Sequence, residues 1–222
     1  MVSKEYIFQF LRDLRNNNSK EWMDENRERY HRAKERWIQE VDLILKLLKK
    51  HDASFERIVP KSTLSRINNN RRFHPNKPIY KDYFTCDPSV EKSELSKLHI
   101  SIGPSGSFIG AGLHHPSSET LKKFHSAIDY NGDRFKKILQ GSKIDAFFES
   151  LSTSDKDLKT APRGYDVEHK HVEILRRKSI TLMRNLTEAE VCGENFPELI
   201  EEAYLTLLPF NNYLEKAISF EP

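Results

Sequence analysis

Apolar residues recur at helical spacing near both ends of the chain and alternate with polar ones in its middle. Tyr6, Phe10, Leu11 and Leu14 fall on one face of a short helix, which Asn16, Asn17 and Asn18 are expected to end. Ser19 stands where an N-cap belongs, and Glu21 lies in the favourable first turn of the next helix. From there Trp22, Tyr30, Ala33, Trp37, Val41, Ile44, Leu45 and Leu48 make one stripe opposite a face of Glu, Arg and Lys. That pattern predicts a single long amphipathic helix ending near Lys50, with both Trp residues packed as core.

The middle of the chain reads as β. Tyr80 to Cys86 is aromatic-rich and partly alternating. Leu98, Ile100 and Ile102 alternate with His99 and Ser101, as in a half-buried strand. Gly103-Pro104-Ser105-Gly106 is the turn, and Ser107 to Leu113 is the returning strand. Gly110 and Gly112 weaken that strand and predict close approach of backbone or ligand. A helix is expected from Pro116-Ser117-Ser118-Glu119 through Leu121, Phe124 and Ile128, with Phe135, Ile138 and Leu139 continuing the pattern. Ser150 to Thr160 is a polar connection, His171 to Arg177 looks helical, and Ser179 to Met183 is a candidate strand. Leu199, Ala203, Leu207, Phe210 and Leu214 mark a C-terminal helical stretch that Pro209 is expected to interrupt. Helices, then strands, then helices argue for an α+β fold: N-terminal helices with one long amphipathic helix, a central antiparallel sheet and C-terminal helices. No linker divides the chain, so residues 1–222 are expected to form a single domain.

Composition narrows the class. Lys plus Arg is 36 and Asp plus Glu 33, a net +3, too balanced for a protein that lives on nucleic acid; any basic patch is local. Cys86 and Cys192 are the only cysteines and form neither metal spacing nor a disulfide framework, which fits a reducing, cytoplasmic setting. The N-terminus has no signal-peptide core, and no run of about 20 apolar residues predicts a membrane span.

Candidate chemistry concentrates in Arg66 to Lys81. These sixteen positions hold five Lys or Arg, four Asn and two aromatics, and no acid. One reading is an anion site for phosphate, nucleotide or carboxylate, with Arg forks and the Lys77 point charge as donors. A second is a structural loop, stiffened by Pro75 and Pro78, in which Asn68 to Asn70 make a turn and Arg72 pairs with buried acceptors. A third is catalytic, with His74, Asp82 or a distant residue as base. Another basic group, Arg163, Arg176, Arg177 and Lys178, is either a solvated helix face or the completion of an anion site. His114-His115 and His169-x-His171 match no metal motif, and exposed or helix-capping roles are their ordinary explanation. Ser105 lacks nucleophile-elbow spacing, no Walker loop is present, and Gly106 to Gly112 lies in a strand rather than opening a helix.

The same segment carries a resemblance. Arg66, Arg72, Phe73, Asn76, Lys77 and Tyr80 fall on the hallmark pattern of an uncharacterised, mainly bacterial family, domain of unknown function 2461. Asn69 and Asn70 stand where that pattern has Arg and Asp, so a role needing that Asp as acid or base is in question. Phe10-Leu11 with Asn17-Asn18 and Glu21-Trp22 resembles the family's opening, and Ser107 to Pro116 its central hairpin. Pro162-Arg163-Gly164-Tyr165-Asp166 and Leu175 to Ser179 are similar to its later motifs. The family has no known activity, so the resemblance implies a place to look rather than a reaction.

These readings predict a cationic pocket of Arg66, Arg72, Lys77, Tyr80 and Lys81, completed by His115, Arg163, Arg176 and Lys178. Its ligand is expected to be a small phosphate- or carboxylate-bearing molecule, bound without cofactor or metal, either as a plain ligand or as an enzyme's substrate. The alternative is a non-catalytic interaction module whose basic surface meets nucleic acid or an acidic protein. No membrane partner is expected.

Overall fold

The computed structural model describes residues 2–88 and 93–219. The first helix, α1, spans Lys4–Asn16. Ser19 then caps a new helix, its Oγ accepting the Trp22 N–H at 3.1 Å. The long helix expected from that point is in fact two, α2 (Lys20–Glu25) and α3 (Arg27–Leu48). Asn26 divides them, with φ −104 and ψ 18, and its side-chain amide donates to the Trp22 carbonyl at 2.9 Å. The Asn26 carboxamide shares that carbonyl with the Asn26 backbone N–H, which donates to it at 3.0 Å, and the apolar stripe runs on past the break. Two 3₁₀ turns, Ala53–Arg57 and Pro60–Thr63, follow α3.

The sheet has four antiparallel strands in the order β1 (Phe84–Cys86), β2 (Leu95–Ile102), β3 (Ser107–Leu113) and β4 (Ile180–Leu186). The α+β class is therefore as the element order predicts. β1 is shorter than the aromatic run suggested; it pairs Phe84 with Ile102, Thr85 with Ser101 and Cys86 with Ile100. The β2–β3 turn closes through Gly106 N–H to Gly103 C=O at 3.1 Å. Leu98, Ile100 and Ile102 are buried as the alternation predicts, but Ser101 is buried too. Gly112 has φ +122, and a Cβ there would strike the Ile180 carbonyl. Close backbone approach is thus the reason for this glycine.

Helix α4 (Ser118–Leu139) is capped by Ser117, whose Oγ accepts the Thr120 N–H at 3.2 Å. It breaks at Asn131, where φ is −147 and ψ 45. α5 covers Ser142–Phe147, and the polar connection after it adds backbone bonds to β4, Glu149 N–H to Met183 at 3.1 Å and Ser152 N–H to Thr181 at 2.9 Å. α6 (Val172–Leu175) is shorter than expected. α7 (Glu188–Cys192) opens with a capping box between Thr187 and Glu190. α8 (Phe196–Ser219) continues through Pro209, contrary to the expected interruption. Proline removes one donor, and the carbonyl it would have bonded belongs to Leu205, a residue 40% exposed.

The described residues form two compact units, one of 2–88, 99–109 and 185–202, the other of 93–98, 110–184 and 203–219. In the first, α1 packs on α3, and Ile7, Phe8, Leu11, Trp37, Val41 and Leu48 are buried. Trp37 is fully buried as expected, whereas Trp22 is only half-buried. The Trp37 indole N–H donates to the Thr85 carbonyl at 3.2 Å. A buried ionic knot joins Lys4 to Glu40 at 3.0 Å and Arg36 to Glu40 at 2.8 Å, and the Lys4 ammonium also donates to the Gly193 carbonyl at 2.5 Å. In the second unit Phe124, Ile128, Phe135, Leu182, Leu207, Phe210 and Leu214 are buried.

Candidate functional site

Arg66 to Lys81 folds as a hairpin-like loop in the first unit. Its feet pair at Asn68 and Tyr80, with Asn69 N–H to Ile79 C=O at 2.9 Å and Lys81 N–H to Ile67 C=O at 2.8 Å. Ile67 and Tyr80 are buried and anchor these feet. The Asn18 carboxamide closes on the same strand: it donates to the Tyr80 carbonyl and accepts the Tyr80 N–H, both at 2.9 Å. Between the feet, every residue from Asn70 to Pro78 is exposed.

The loop is internally braced. The Asn69 side chain donates to the Pro78 carbonyl at 2.9 Å, and the Arg71 guanidinium donates twice to the Pro75 carbonyl at 3.3 Å. Lys77 N–H closes a turn on the His74 carbonyl at 3.1 Å. Phe73 does not anchor the loop by burial; it is 70% exposed. Nor is Arg72 buried against a carboxylate. It is exposed, with its guanidinium 5.6 Å from the centre of the Phe73 ring.

Lys81 stands at the base, within the fields of Arg66 and Lys77. The Lys81 ammonium donates to Ser65 Oγ at 3.1 Å and to the Arg66 carbonyl at 2.8 Å. Partial burial holds its pKa below the ordinary value, and the charges of Arg66 and Lys77 push it further down. Among the described residues, no salt bridge engages Arg66, Lys77 or Lys81. Ser65 is itself bonded by Thr85 Oγ1 at 2.9 Å, and Thr85 is the residue whose carbonyl holds Trp37. A hydrogen-bonded line therefore runs from a core indole to Lys81. Beside it, Ser105 Oγ donates to Asp82 and accepts from Arg15 at 3.4 Å.

His115, Arg163, Arg176 and Lys178 belong to the second unit. Arg176 pairs with Glu173 one helical turn away at 2.8 Å, and Arg177 with Asp157 at 3.0 Å. The Lys178 backbone N–H donates to Asp157 at 2.9 Å, and Arg163 is an exposed turn residue. His115 has φ 50, an uncommon left-handed conformation for a side chain of this kind, and its N–H donates to Ser179 Oγ at 3.0 Å. His169 donates from Nε2 to Asp129 at 3.1 Å and accepts the His171 N–H on Nδ1 at 3.1 Å, so both ring nitrogens are committed. His171 is neither exposed nor a side-chain cap. It is buried against Gly132, 3.3 Å from Asp133.

Asn18 and Ser65 are the residues that sequence reasoning left out. Asn18 lies in a block that already resembled the family's opening, and Ser65 adjoins Arg66, but their pairing with Tyr80 and Lys81 is non-local.

Fold and loop together define an α+β chain with a braced basic hairpin. The family described as conserved hypothetical protein, domain of unknown function 2461, matches residues 6–213, and the chain belongs to it. No curated protein and no solved structure matches the chain.

Proposed function

We propose that the Arg66–Lys81 loop binds a small phosphate- or carboxylate-bearing molecule. The observation that carries this reading is the Lys81 ammonium, bonded to Ser65 Oγ and the Arg66 carbonyl and subject to the charges of Arg66 and Lys77, with no salt bridge to any of the three among the described residues. Like charges held close are costly, and an anion arriving there relieves the repulsion. The brace of Asn18, Asn69 and the proline carbonyls supports the reading, since a preformed site loses less entropy on binding. Lys77 and Arg66 are the principal ligand-binding side chains, Lys81 the electrostatic partner, and Tyr80 the anchor. Two free thiols belong with a reducing, cytoplasmic setting in this proposal; burial pushes Cys86 up to about 12 and Cys192 up to about 11. Among the described residues, no helix is long and apolar enough to cross a membrane.

One observation favours a second reading. The nine consecutive exposed residues Asn70–Pro78 present Phe73 beneath Arg72 at a surface tip. An exposed aromatic with a cation suits a stacking base or an acidic protein segment better than a small metabolite.

A thermal-shift screen with inorganic phosphate, pyrophosphate, nucleotides and small carboxylates separates the two. A small-anion site gives a ligand-dependent rise in Tm that Lys77→Ala removes and Phe73→Ala leaves intact. Binding of single-stranded RNA with a steep salt slope, abolished by Phe73→Ala, and no small-anion response favour the second reading.

A further inference from the structure

The second unit carries a groove between α4 and the C-terminal part of α8. The Phe135 ring lies 5.9 Å from Phe210 and 4.8 Å from Tyr213. The Tyr213 hydroxyl donates to the Ala127 carbonyl at 3.2 Å. Rising numbers on α8 thus meet falling numbers on α4, so the helices run antiparallel. Lys216 and Ala217 accordingly sit toward Ser126 and Ala127, while Leu208 and Pro209 sit toward Ile138.

The groove encloses about 520 Å³, within the roughly 300–1,000 Å³ of small-molecule sites. Its chemistry is graded. Ile138, Leu208 and Pro209 make one end apolar, and Arg134, Asn212, Tyr213 and Lys216 make the rest polar and cationic. Neither cation is neutralised by its neighbouring acid. Glu215, next to Lys216, is held by Lys97 at 3.1 Å. Asp133, next to Arg134, is held by Lys170 at 2.6 Å and lies 3.3 Å from His171. Burial pushes the Tyr213 hydroxyl up to about 12 while the Arg134 charge opposes that rise, so the guanidinium's field reaches the middle of the groove. Tyr130, 92% exposed, stands at the rim as an apolar face with no cover.

We infer that this groove binds an amphipathic monocarboxylate, a medium-chain acyl carboxylate. The carboxylate sits between Arg134 and Lys216, and the chain lies on Ile138, Leu208 and Pro209. Two cations with no salt-bridge partner among the described residues select a negative head, and an apolar end selects a hydrocarbon tail.

Isothermal titration of the full chain with dodecanoate, below its micellar concentration, tests the inference. Saturable one-site binding is expected, weakened about tenfold or more by Arg134→Glu and by Lys216→Glu. Both positions are exposed, so folding is preserved. Dodecyltrimethylammonium, with the same tail and the opposite head charge, is expected not to bind. Lys77→Ala is expected to bind dodecanoate as the unaltered chain does, which keeps this site separate from the basic loop. Absence of saturable binding up to about 1 mM overturns the inference. So does equal binding of the cationic amphiphile, or binding indifferent to both charge reversals. Binding of an acidic amphipathic peptide in place of dodecanoate overturns it as well.

Discussion

The Asn18 side chain behaves toward Tyr80 as a short piece of β-strand, giving one hydrogen bond to its carbonyl and taking one from its N–H, each at 2.9 Å. A carboxamide is the only neutral side-chain group with both a donor and an acceptor in this geometry, and only Asn and Gln carry it. Asn18→Ala orphans two partly buried backbone groups. The expected cost is about 1–3 kcal/mol, measured by urea denaturation. Asn18→Asp keeps the acceptor but sets a carboxylate against a carbonyl, and is expected to lose at least as much. Unchanged stability in both variants shows that the clasp does not hold the loop.

The basic loop makes a different forecast. Arg66 and Lys77 are exposed, so Arg66→Ala and Lys77→Ala are expected to change stability by no more than about 0.5 kcal/mol. Each removes a charge that depresses Lys81, whose pKa is therefore expected to rise toward its ordinary 10.5. NMR titration of the Lys81 side chain reads this directly. Anion binding has the same sign: it favours the charged ammonium, so protons are taken up on binding at pH values near the lowered pKa, and affinity falls as pH rises through it. No change in the Lys81 titration in either variant separates the three cations.

The ionic knot at Glu40 is asymmetric. Removing Lys4 leaves Glu40 paired with Arg36, whereas Glu40→Ala leaves the buried Lys4 ammonium without its carboxylate, against the Gly193 carbonyl and the Phe196 ring. Glu40→Ala is expected to cost roughly 3–5 kcal/mol and Lys4→Met clearly less. Chemical denaturation of both variants checks the order; the reverse order refutes this account.

Two glycines differ sharply in what they tolerate. Gly112→Ala meets the Ile180 carbonyl at φ +122, while Gly106→Ala, at φ +145, meets nothing within 4 Å. Strain alone costs about 1 kcal/mol or more at Gly106. Strain with a backbone clash at Gly112 is expected to exceed about 3 kcal/mol or abolish folding. Thermal melts rank them.

Acid sensitivity is expected from two buried histidines. Burial lowers the pKa of His125 and of His171; a hydrogen bond to Leu175 opposes this at His125 and the Asp133 charge at His171, where Lys170, Lys136 and His169 reinforce it. Both groups are thus neutral in the folded chain over a range where the unfolded chain already binds protons. Their contribution is fully present above the ordinary 6.5 and declines as pH falls from there to the lowered values. His125→Phe is expected to flatten the fall in Tm on acidification. An unchanged slope assigns the acid sensitivity elsewhere.

Legibility in the sequence followed the range of the forces involved. The β2–β3 hairpin was plain because strand alternation and turn glycines act between neighbours. The break at Asn26 was hidden because the apolar stripe crosses it without interruption. The exposure of Phe73 was not legible because burial is the ordinary fate of an aromatic, whereas here proline carbonyls and Asn69 hold the loop. Asn18 and Ser65 escaped because their partners lie 62 and 16 residues away.

The bonded line Trp37–Thr85–Ser65–Lys81 gives the molecule a built-in optical reporter. An indole whose N–H is held by a carbonyl emits according to the strength of that bond. A movement of Lys81 is expected to pass along these bonds through Ser65 and Thr85 toward the fully buried Trp37. On the proposal that the loop takes an anion, the emission of Trp37, read in a Trp22→Phe chain so that the half-buried Trp22 does not contribute, is the expected label-free readout.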